Sequence, residues 1–544
     1  MLGLMQDWPL TVDRLLDHAA AWHGAREIVS RDAQGLVTRS SYAQVHADAK
    51  RVSNALARAG IRLGDRVATL GWNGARHLAA WYGIAGMGAV CHTLNPRLFP
   101  EQLAYIAGEA EDRVLIADPA CAALIPALLA SVPSIELVVF LCDRAGLPAA
   151  DFEAIAFDDW IAGESADFQW GDFDERTACG LCYTSGTTGN PKGVLYAHRS
   201  NYLHALMALQ RDALALSARD TALLVVPMYH ANAWGVVYAA PAAGAKLVLP
   251  GQNLDGASLY ELIESEGVTY AGGVPTVWQA LLQHVQTTGA RFTTLERATI
   301  GGSACPESII RAFRDYGVDV IQGWGMTETS PLATISVPTA EVAAMDEDAQ
   351  IAHKLKQGRA LCGIELKLTD DDGNRLPHDG RTPGRLKVKG ATVASGYYAG
   401  AGGNVLDSEG FFDTGDVSTI DARGYVQITD RAKDIVKSGG EWISSIDIEN
   451  IVVGHPKAQY AAVIGVTHPK WDERPILLVQ LKDGEASDGS EFLTWLDGKV
   501  AKWWVPDDVL IVDEIPLGPT GKVDKKILRT RLEGYSLPFS SAER

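Results

Sequence analysis

Cysteine is scarce in this chain. Seven cysteines in 544 residues, an odd number, exclude a disulfide framework and fit a reducing compartment, so a cytoplasmic location is expected. Basic charge is in deficit as well. Lys and Arg number 48 against 67 Asp and Glu, a net charge of −19 with a pI near 5.1. That balance argues against general nucleic-acid binding and against docking on an anionic membrane surface, while leaving room for one anionic ligand in a locally basic cleft. Long apolar runs are missing. The least charged stretch, Asp220 to Lys246, is broken by Pro227, His230, Asn232 and Pro241, and reads as buried strands and a loop rather than a membrane span. The opening Met1-Leu-Gly-Leu-Met-Gln-Asp7 has no basic n-region, so no signal peptide is expected. Internal repeats and low-complexity tracts are lacking too.

What is present fits a large globular enzyme: hydrophobic residues make up 47% and charged residues 21%. The length suggests roughly three to four units of ordinary size. From Ser41 to Gly60, Tyr42, Val45, Ala49, Val52, Leu56 and Ala59 recur at steps of three and four, which predicts a helix capped by Ser40 or Ser41. Short apolar runs at 66–70, 89–93, 113–117 and 136–141 alternate with helical stretches and predict a largely parallel, doubly wound sheet. An acidic, weakly patterned linker covers 143–174. A second α/β layer is expected from strands at 222–226, 245–249, 268–271, 298–300 and 318–322. From Gly358 to 430, short strands separated by Asp/Gly turns suggest a small β-barrel-like subdomain. Beyond the charged pentad Asp430–Asp434, strands at 461–466, 476–480 and 510–512 and a helix at 492–503 predict a compact α+β domain. The expected organisation is therefore an N-terminal domain over 1–430, a hinge at 431–434 and a C-terminal domain over 435–544.

The richest stretch is Tyr183-Thr-Ser-Gly-Thr-Thr-Gly-Asn-Pro-Lys-Gly-Val194, with three glycines, four hydroxyls and one lysine between apolar runs. A glycine-rich loop between a strand and a helix brings backbone N–H groups close to phosphate oxygens. Thr184, Ser185, Gly186, Thr187, Thr188, Gly189 and Lys192 are thus candidate phosphate ligands, although the spacing is not that of a P-loop. Cys179-Gly-Leu-Cys182, just before it, lacks a second pair at zinc-like spacing and reads as core cysteines.

Further along, Gly323, Trp324, Gly325 and Met326 let backbone approach a flat ring. Thr327 and Glu328 then offer a hydroxyl and a carboxylate suited to Mg²⁺ on nucleotide phosphates. Gly301, Gly302, Ser303 and Ala304 close another predicted strand and could also pass a ring. Asp416 is placed to accept ribose hydroxyls, a weak signal alone, since Asp-x-Gly-Asp turns are common. Arg431 is a candidate ribose or phosphate ligand, and Gly439 and Gly440 leave room for a second ligand; a solvated charged hinge is the competing account. Lys522 lies on a Pro/Gly loop from which it could reach a developing anion. His230 and Trp234, four apart, would share a helix face lining an apolar pocket; a satisfied core histidine is the alternative.

Taken together and in this order, YTSGTTGNPKGV, GWGMTET, FFDTGD, DRAKDIVKSGGEW and PTGKVDKK resemble the adenylate-forming superfamily of acyl-CoA synthetases, luciferases and peptide-synthetase adenylation domains, over essentially the whole chain. KSGGEWISSIDIEN, GGSACP, CHTLNPRLF and HPKWDERP are most similar to bacterial medium-chain fatty acyl-CoA synthetases, whose relatives include ligases for 3-methylthiopropionate. The resemblance implies a two-step reaction with ATP, Mg²⁺ and CoA: a carboxylate attacks the α-phosphate to give acyl-AMP and pyrophosphate, the C-terminal domain rotates, and CoA thiolate takes the acyl group. It implies that 184–192 holds the β- and γ-phosphates. Gly302, Ser303, Ala304 and Trp324 would flank adenine, Thr327 would touch the α-phosphate and Glu328 would hold Mg²⁺. Asp416 and Arg431 would bind the ribose, Lys433 would be the hinge and Lys522 would stabilise charge in adenylation. Lys437, Ser438, Gly439, Gly440, Glu441 and Trp442 would build the pantetheine tunnel after rotation. His230 stands where fatty-acid enzymes often carry an aromatic gate, and Trp234 would narrow the pocket. A short-to-medium-chain acid is therefore expected. The alternatives are 3-methylthiopropionate, an aryl acid, or acyl delivery to a separate carrier protein; a homodimer without stable membrane insertion is the expected assembly.

Overall fold

The structure, a computed structural model, describes residues 1, 3–184, 190–438, 441–518, 521–535 and 537. Its first sheet has seven strands centred on Arg66–Leu70, Val90–Leu94 and Val114–Ala117, parallel except for the last pair, Ala178–Tyr183 and Gly193–Ala197. The expected helix runs over Tyr42–Arg58, with the Ser41 hydroxyl accepting from Gln44 N–H as its N-cap. Its apolar face packs on the helix Ala75–Gly86. A Cβ on Gly83 would lie 2.6 Å from Ala49 O, so glycine is what allows this approach, and Ser53 Oγ bonds Gly83 O at 2.6 Å across it. The acidic linker is better anchored than its pattern suggests. It contains a short helix, Phe157–Ile161, and Trp170 Nε1–H donates to Ser53 Oγ at 2.8 Å.

The second sheet has nine strands. Thr221–Leu224, Lys246–Leu249, Tyr270–Gly273, Arg297–Ile300 and Asp319–Gly325 form its parallel centre, as the alternation predicts. Its edge was not legible: the N-terminal hairpin Glu27–Arg31/Val37–Ser41 joins here, with Glu27–Arg31 parallel to Lys246–Leu249. The barrel-like unit is an open, four-stranded antiparallel sheet, Ile364–Thr369, Gly384–Gly390, Phe412–Ile420 and Val426–Arg431.

A smaller unit follows, with its own sheet and its own core around Ile448, Val463, Leu477 and Phe492. The long hairpin Ala458–His468/Asp472–Leu481 carries Asp508–Val512 in parallel at its edge. The helix expected over 492–503 is shorter, Ser490–Leu496; Asp497 turns extended and Gly498 takes φ 72°, which ends it. A helix that patterning missed, Lys525–Arg531, is capped by the Asp524 carboxylate. Among the described residues no helix is long and apolar enough to cross a membrane.

Candidate functional site

The glycine-rich loop is not a strand-to-helix turn as expected. It connects two antiparallel strands whose last pair is Tyr183 and Gly193, and the helix His198–Ala208 starts only after the second. Helix-terminal N–H groups are therefore not its donors. Thr184 N–H donates to Lys192 O at 2.9 Å and closes the base of the loop, so the Lys192 side chain leaves from a fixed stem. Ser185, Gly186, Thr187, Thr188 and Gly189 lie outside the described residues.

From that stem a chain of contacts runs to Glu328. Lys192 Nζ sits 5.0 Å from the centroid of the Tyr397 ring, and Tyr397 O–H donates to Glu328 Oε1 at 2.6 Å. Burial pushes the Glu328 carboxyl up, and the Tyr397 hydrogen bond opposes that. Thr327 is positioned through its carbonyl, which accepts from Tyr196 O–H at 2.9 Å. Tyr397 was missed in the sequence; its signal is the Gly396-Tyr397-Tyr398 run, an aromatic pair behind a glycine.

Asp416 and Arg431 come together because their strands pair in register at these two residues. Asp416 is 2% exposed and has both oxygens engaged. Arg431 Nε lies 2.8 Å from Oδ1, and Trp324 Nε1–H donates to Oδ2 at 2.9 Å. Trp324 thus links the strand Asp319–Gly325 to the four-stranded sheet. Burial works to raise the Asp416 carboxyl; Arg431, the indole N–H and Lys522 work against it. Gly302 and Ser303, at the end of the neighbouring strand, are exposed, and Ala304 is half-buried.

Lys522 comes from the smaller unit and enters this site. Its Cε lies 3.3 Å from where a Cβ on Gly302 would sit, and Gly521 O accepts from Thr276 Oγ1 at 3.3 Å. Burial, helped by the Arg431 charge and opposed by Asp416, pulls the ammonium down to about 8. Lys437, Ser438 and Trp442 are not gathered with these residues by any such contact. They lie on the hairpin Val436–Ser438/Glu441–Ile443, where Lys437 N–H donates to Glu473 Oε2 at 2.9 Å and Arg474 Nη1 lies 3.4 Å from Ser438 Oγ. Gly439, Gly440 and the Glu441 side chain lie outside the described residues. Lys433 is exposed.

His230 and Trp234 are not on one α-helical face. Ala231, Asn232, Ala233 and Trp234 have φ of 42°, 57°, 48° and 54°, a left-handed turn completed by Gly235 at 77°. Left-handed geometry costs about 1–2 kcal/mol for each residue with a Cβ, so packing must over-determine this turn. Glycine is required at 235, where a Cβ would lie 2.4 Å from the His204 ring. His204 is itself fixed, its Nε2 accepting from Leu332 N–H at 3.0 Å. The turn lays the Trp234 indole along Gly272, Gly301 and Gly302, 3.2 Å from the Cβ position of Gly301. His230 keeps a neutral ring, because burial and the Lys522 charge push it down to about 3. It lines a cavity of ≈ 470 Å³ together with Tyr229, Val226, Val274, Val277, Tyr460 and Leu517. The cavity is therefore walled by both units. Cys179 and Cys182 are buried and unpaired in the core. Among the described residues no group of three His, Cys, Asp or Glu could hold a metal by itself.

The model of the AMP-binding enzyme family matches residues 16–398, and that of the AMP-binding enzyme C-terminal domain matches 447–522. The chain is 49% identical over 537 residues to the 3-methylmercaptopropionyl-CoA ligase of Ruegeria lacuscaerulensis, covering 97% of this chain and 98% of that one. It is 46% identical over 544 residues to a medium-chain-fatty-acid–CoA ligase of Ectopseudomonas oleovorans, covering all of both. Among solved structures, an anthranilate CoA ligase in complex with anthranoyl-AMP superposes with a TM-score of 0.85 at 25% identity, over 97% of this chain and 99% of that chain.

Proposed function

The chain belongs to the AMP-binding enzyme family, and from that premise we propose how its residues carry out the reaction of an AMP-forming acyl-CoA ligase. A carboxylic acid and ATP give acyl-AMP and pyrophosphate, and CoA then takes the acyl group and releases AMP. The observation that carries this reading is the convergence of Lys522, from one unit, on the Asp416–Arg431–Trp324 set and the Gly302 strand end of the other. Displacement at phosphorus needs positioning and charge neutralisation more than a nucleophilic side chain.

In the first step the substrate carboxylate oxygen bonds to the α-phosphorus and the bond to the pyrophosphate oxygen breaks. Lys192 and the 184–192 loop meet the β- and γ-phosphates. Gly302, Ser303, Ala304 and Trp324 flank adenine, Asp416 and Arg431 hold the ribose, and Thr327 meets the α-phosphate. Lys522 neutralises charge that grows on the α-phosphate and carboxylate oxygens. Glu328 would hold Mg²⁺ carried by ATP: a buried carboxylate, costly to ionise alone, would gain from a neighbouring cation. That ion would supply charge neutralisation at the phosphates.

The chain is read as a large domain over 1–430, a hinge at 431–434 centred on Lys433, and a mobile domain over 435–544. Rotation about the hinge withdraws Lys522 and brings the 437–442 hairpin to the acyl-AMP for attack by the CoA thiolate on the acyl carbonyl. The acid proposed is short to medium in chain length, since the Trp234 indole fills the space over Gly301 and His230 borders the cavity. The Ruegeria relative supports 3-methylthiopropionate as a second candidate of the same size class. A cytoplasmic homodimer is the proposed assembly, supported by the unpaired cysteines for location and by the superfamily resemblance for pairing.

The test is a panel of linear, branched, thioether and aryl acids assayed with ATP and CoA for release of AMP and pyrophosphate. Turnover centred on short-to-medium-chain acids is expected. Release with no acid would overturn the ligase reading, and preference for long-chain or aryl acids would overturn the pocket assignment.

A further inference from the structure

The segment bearing Lys522 is fixed within the smaller unit. Gly518 N–H donates to Lys522 O at 2.6 Å and Asp524 N–H to Pro516 O at 2.8 Å. Asp524 caps the helix Lys525–Arg531, accepting from Lys526 and Ile527 N–H at 3.0 and 3.2 Å. Lys525, the first residue of that helix, turns inward. Its ammonium lies 2.6 Å from Glu449 Oε1 and donates to Ser445 Oγ at 2.5 Å. Lys525 is therefore rigidly coupled to the helix Ser445–Val453.

The start of that same helix meets the larger unit. Ser445 N–H donates to Asp430 Oδ2 at 2.8 Å, and Ser444 Oγ–H donates to Thr429 O at 2.6 Å. Asp430 is 1% exposed and lies within range of the Lys525 charge. It belongs to the strand Val426–Arg431, one residue before the arginine that pairs with Asp416. A buried carboxylate set against both a helix N-terminus and a lysine gains from the helix dipole and from charge-assisted hydrogen bonds. Such bonds are directional, so they hold an orientation, and they break when the two units turn relative to one another. The contacts form a continuous line from Lys522 through Lys525, Ser445 and Asp430 to Arg431 and Asp416.

We propose that Asp430 and Lys525 are positioning residues that latch the smaller unit in the orientation presenting Lys522 to the nucleotide site, and that this latch opens before acyl transfer to CoA. The proposal rests on the ligase reading with its two half-reactions. Neither residue touches substrate, and no covalent bond of either forms or breaks in the reaction.

Asp430→Asn keeps the shape but removes the charge, Lys525→Ala removes the other partner, and Lys525→Arg restores a cation. Pyrophosphate release with acid and ATP, without CoA, reads the first half-reaction. Conversion of supplied acyl-AMP to thioester with CoA reads the second. We expect Asp430→Asn and Lys525→Ala to slow the first about tenfold, to leave the second unchanged or faster, and Lys525→Arg to recover most of the first. Equal losses in both half-reactions, or no loss in either, would overturn the latch. Should Asp430→Asn fail to fold, Ser444→Ala, which deletes the bond to Thr429 O, must show the same split or the proposal fails. Wild-type protein that releases no pyrophosphate with any acid would instead count against the ligase reading.

Discussion

Lys522 offers the sharpest quantitative test. Its ammonium is carried by the smaller unit to the Gly302 strand end, and Arg431 and Asp416 are its charged neighbours. Lys522→Ala removes a single donor aimed at developing charge, which costs about 10²–10³-fold, or about 2.7–4 kcal/mol, in the adenylation rate. Conversion of supplied acyl-AMP to thioester should change less than about threefold, because the proposed rotation takes the lysine out of the site for that step. The pH dependence gives an independent handle. A lysine is charged below its pKa, and burial has brought this one down to about 8. The charged form needed for adenylation is thus complete well below pH 8 and lost as pH rises through it, to about one-eleventh at pH 9. The decline belongs to kcat/KM for ATP in the free enzyme. Bound phosphates stabilise the ammonium, so kcat should fall only at higher pH. Lys522→Arg keeps its charge across the range and should flatten the profile while losing some rate to altered reach. The assay is single-turnover pyrophosphate release without CoA, so that thiol ionisation does not enter. Equal loss in both half-reactions for Lys522→Ala, or a flat wild-type profile from pH 7 to 9.5, would refute the role.

Three other perturbations separate the remaining parts. Trp324→Phe removes the indole N–H from the buried Asp416 carboxylate and should raise KM by about 1–3 kcal/mol equivalent for ATP and, because acyl-AMP carries the same adenosine, for supplied acyl-AMP as well; an unchanged KM for both would detach Trp324 from the proposed ribose carboxylate. Trp234→Ala empties the space over Gly301 and should shift preference toward longer acids, at about 0.8 kcal/mol or roughly fourfold in kcat/KM per methylene newly accommodated; an unshifted optimum in a C4–C14 series would refute the pocket. Lys433→Pro pins the backbone of the proposed hinge and should slow thioester formation at least tenfold more than adenylation; equal rates would move the hinge elsewhere.

Much of this fold was legible because local chemistry and tertiary packing agree. The helix beginning after Ser41 could be placed within two residues of its observed end from apolar period and cap alone, and five strands of the second sheet fell within three residues of their sites. The failures have specific causes. The pairing of Glu27–Arg31 with Lys246–Leu249 is non-local, and nothing in either strand names its partner. The left-handed turn at 231–235 has no glycine until its last position, so residue types gave no warning; only the surrounding packing dictates it. The helix expected over 492–503 ran on to Trp503, past Gly498, whose left-handed backbone ends the helix soon after Leu496. At the site, motifs exposed the residues whose chemistry is unusual for their setting, such as Lys192 and Asp416. Tyr397 escaped because a tyrosine behind a glycine is unremarkable until Glu328 is seen 2.6 Å away.

Under the proposed site assignment, the placement of glycines lets one scaffold accommodate different acids. Three adjacent parallel strands, Tyr270–Gly273, Arg297–Ile300 and Asp319–Gly325, end in or lead into glycine: Gly272 and Gly273, Gly301 and Gly302, Gly323 and Gly325. Ligands of open parallel sheets gather at these carboxyl ends. Here the edge presents backbone and almost no side chain, and it is too tight to accept one. A Cβ on Gly301 would lie 3.0 Å from Gly323 O, and a Cβ on Gly325 would lie 1.8 Å from Pro331 O. The sheet thus supplies a flat, chemically neutral wall. Discrimination must come from elements outside it: the left-handed turn that lays Trp234 on one part of the wall, the His230 ring beside it, and the Lys522 loop that closes from the other unit. Changes in the turn would then retune the proposed acid pocket without disturbing the strands proposed to seat the nucleotide. Relatives 46–49% identical to this chain over nearly its whole length bear names for different acids, as expected if specificity resides in a few turn residues facing the backbone edge.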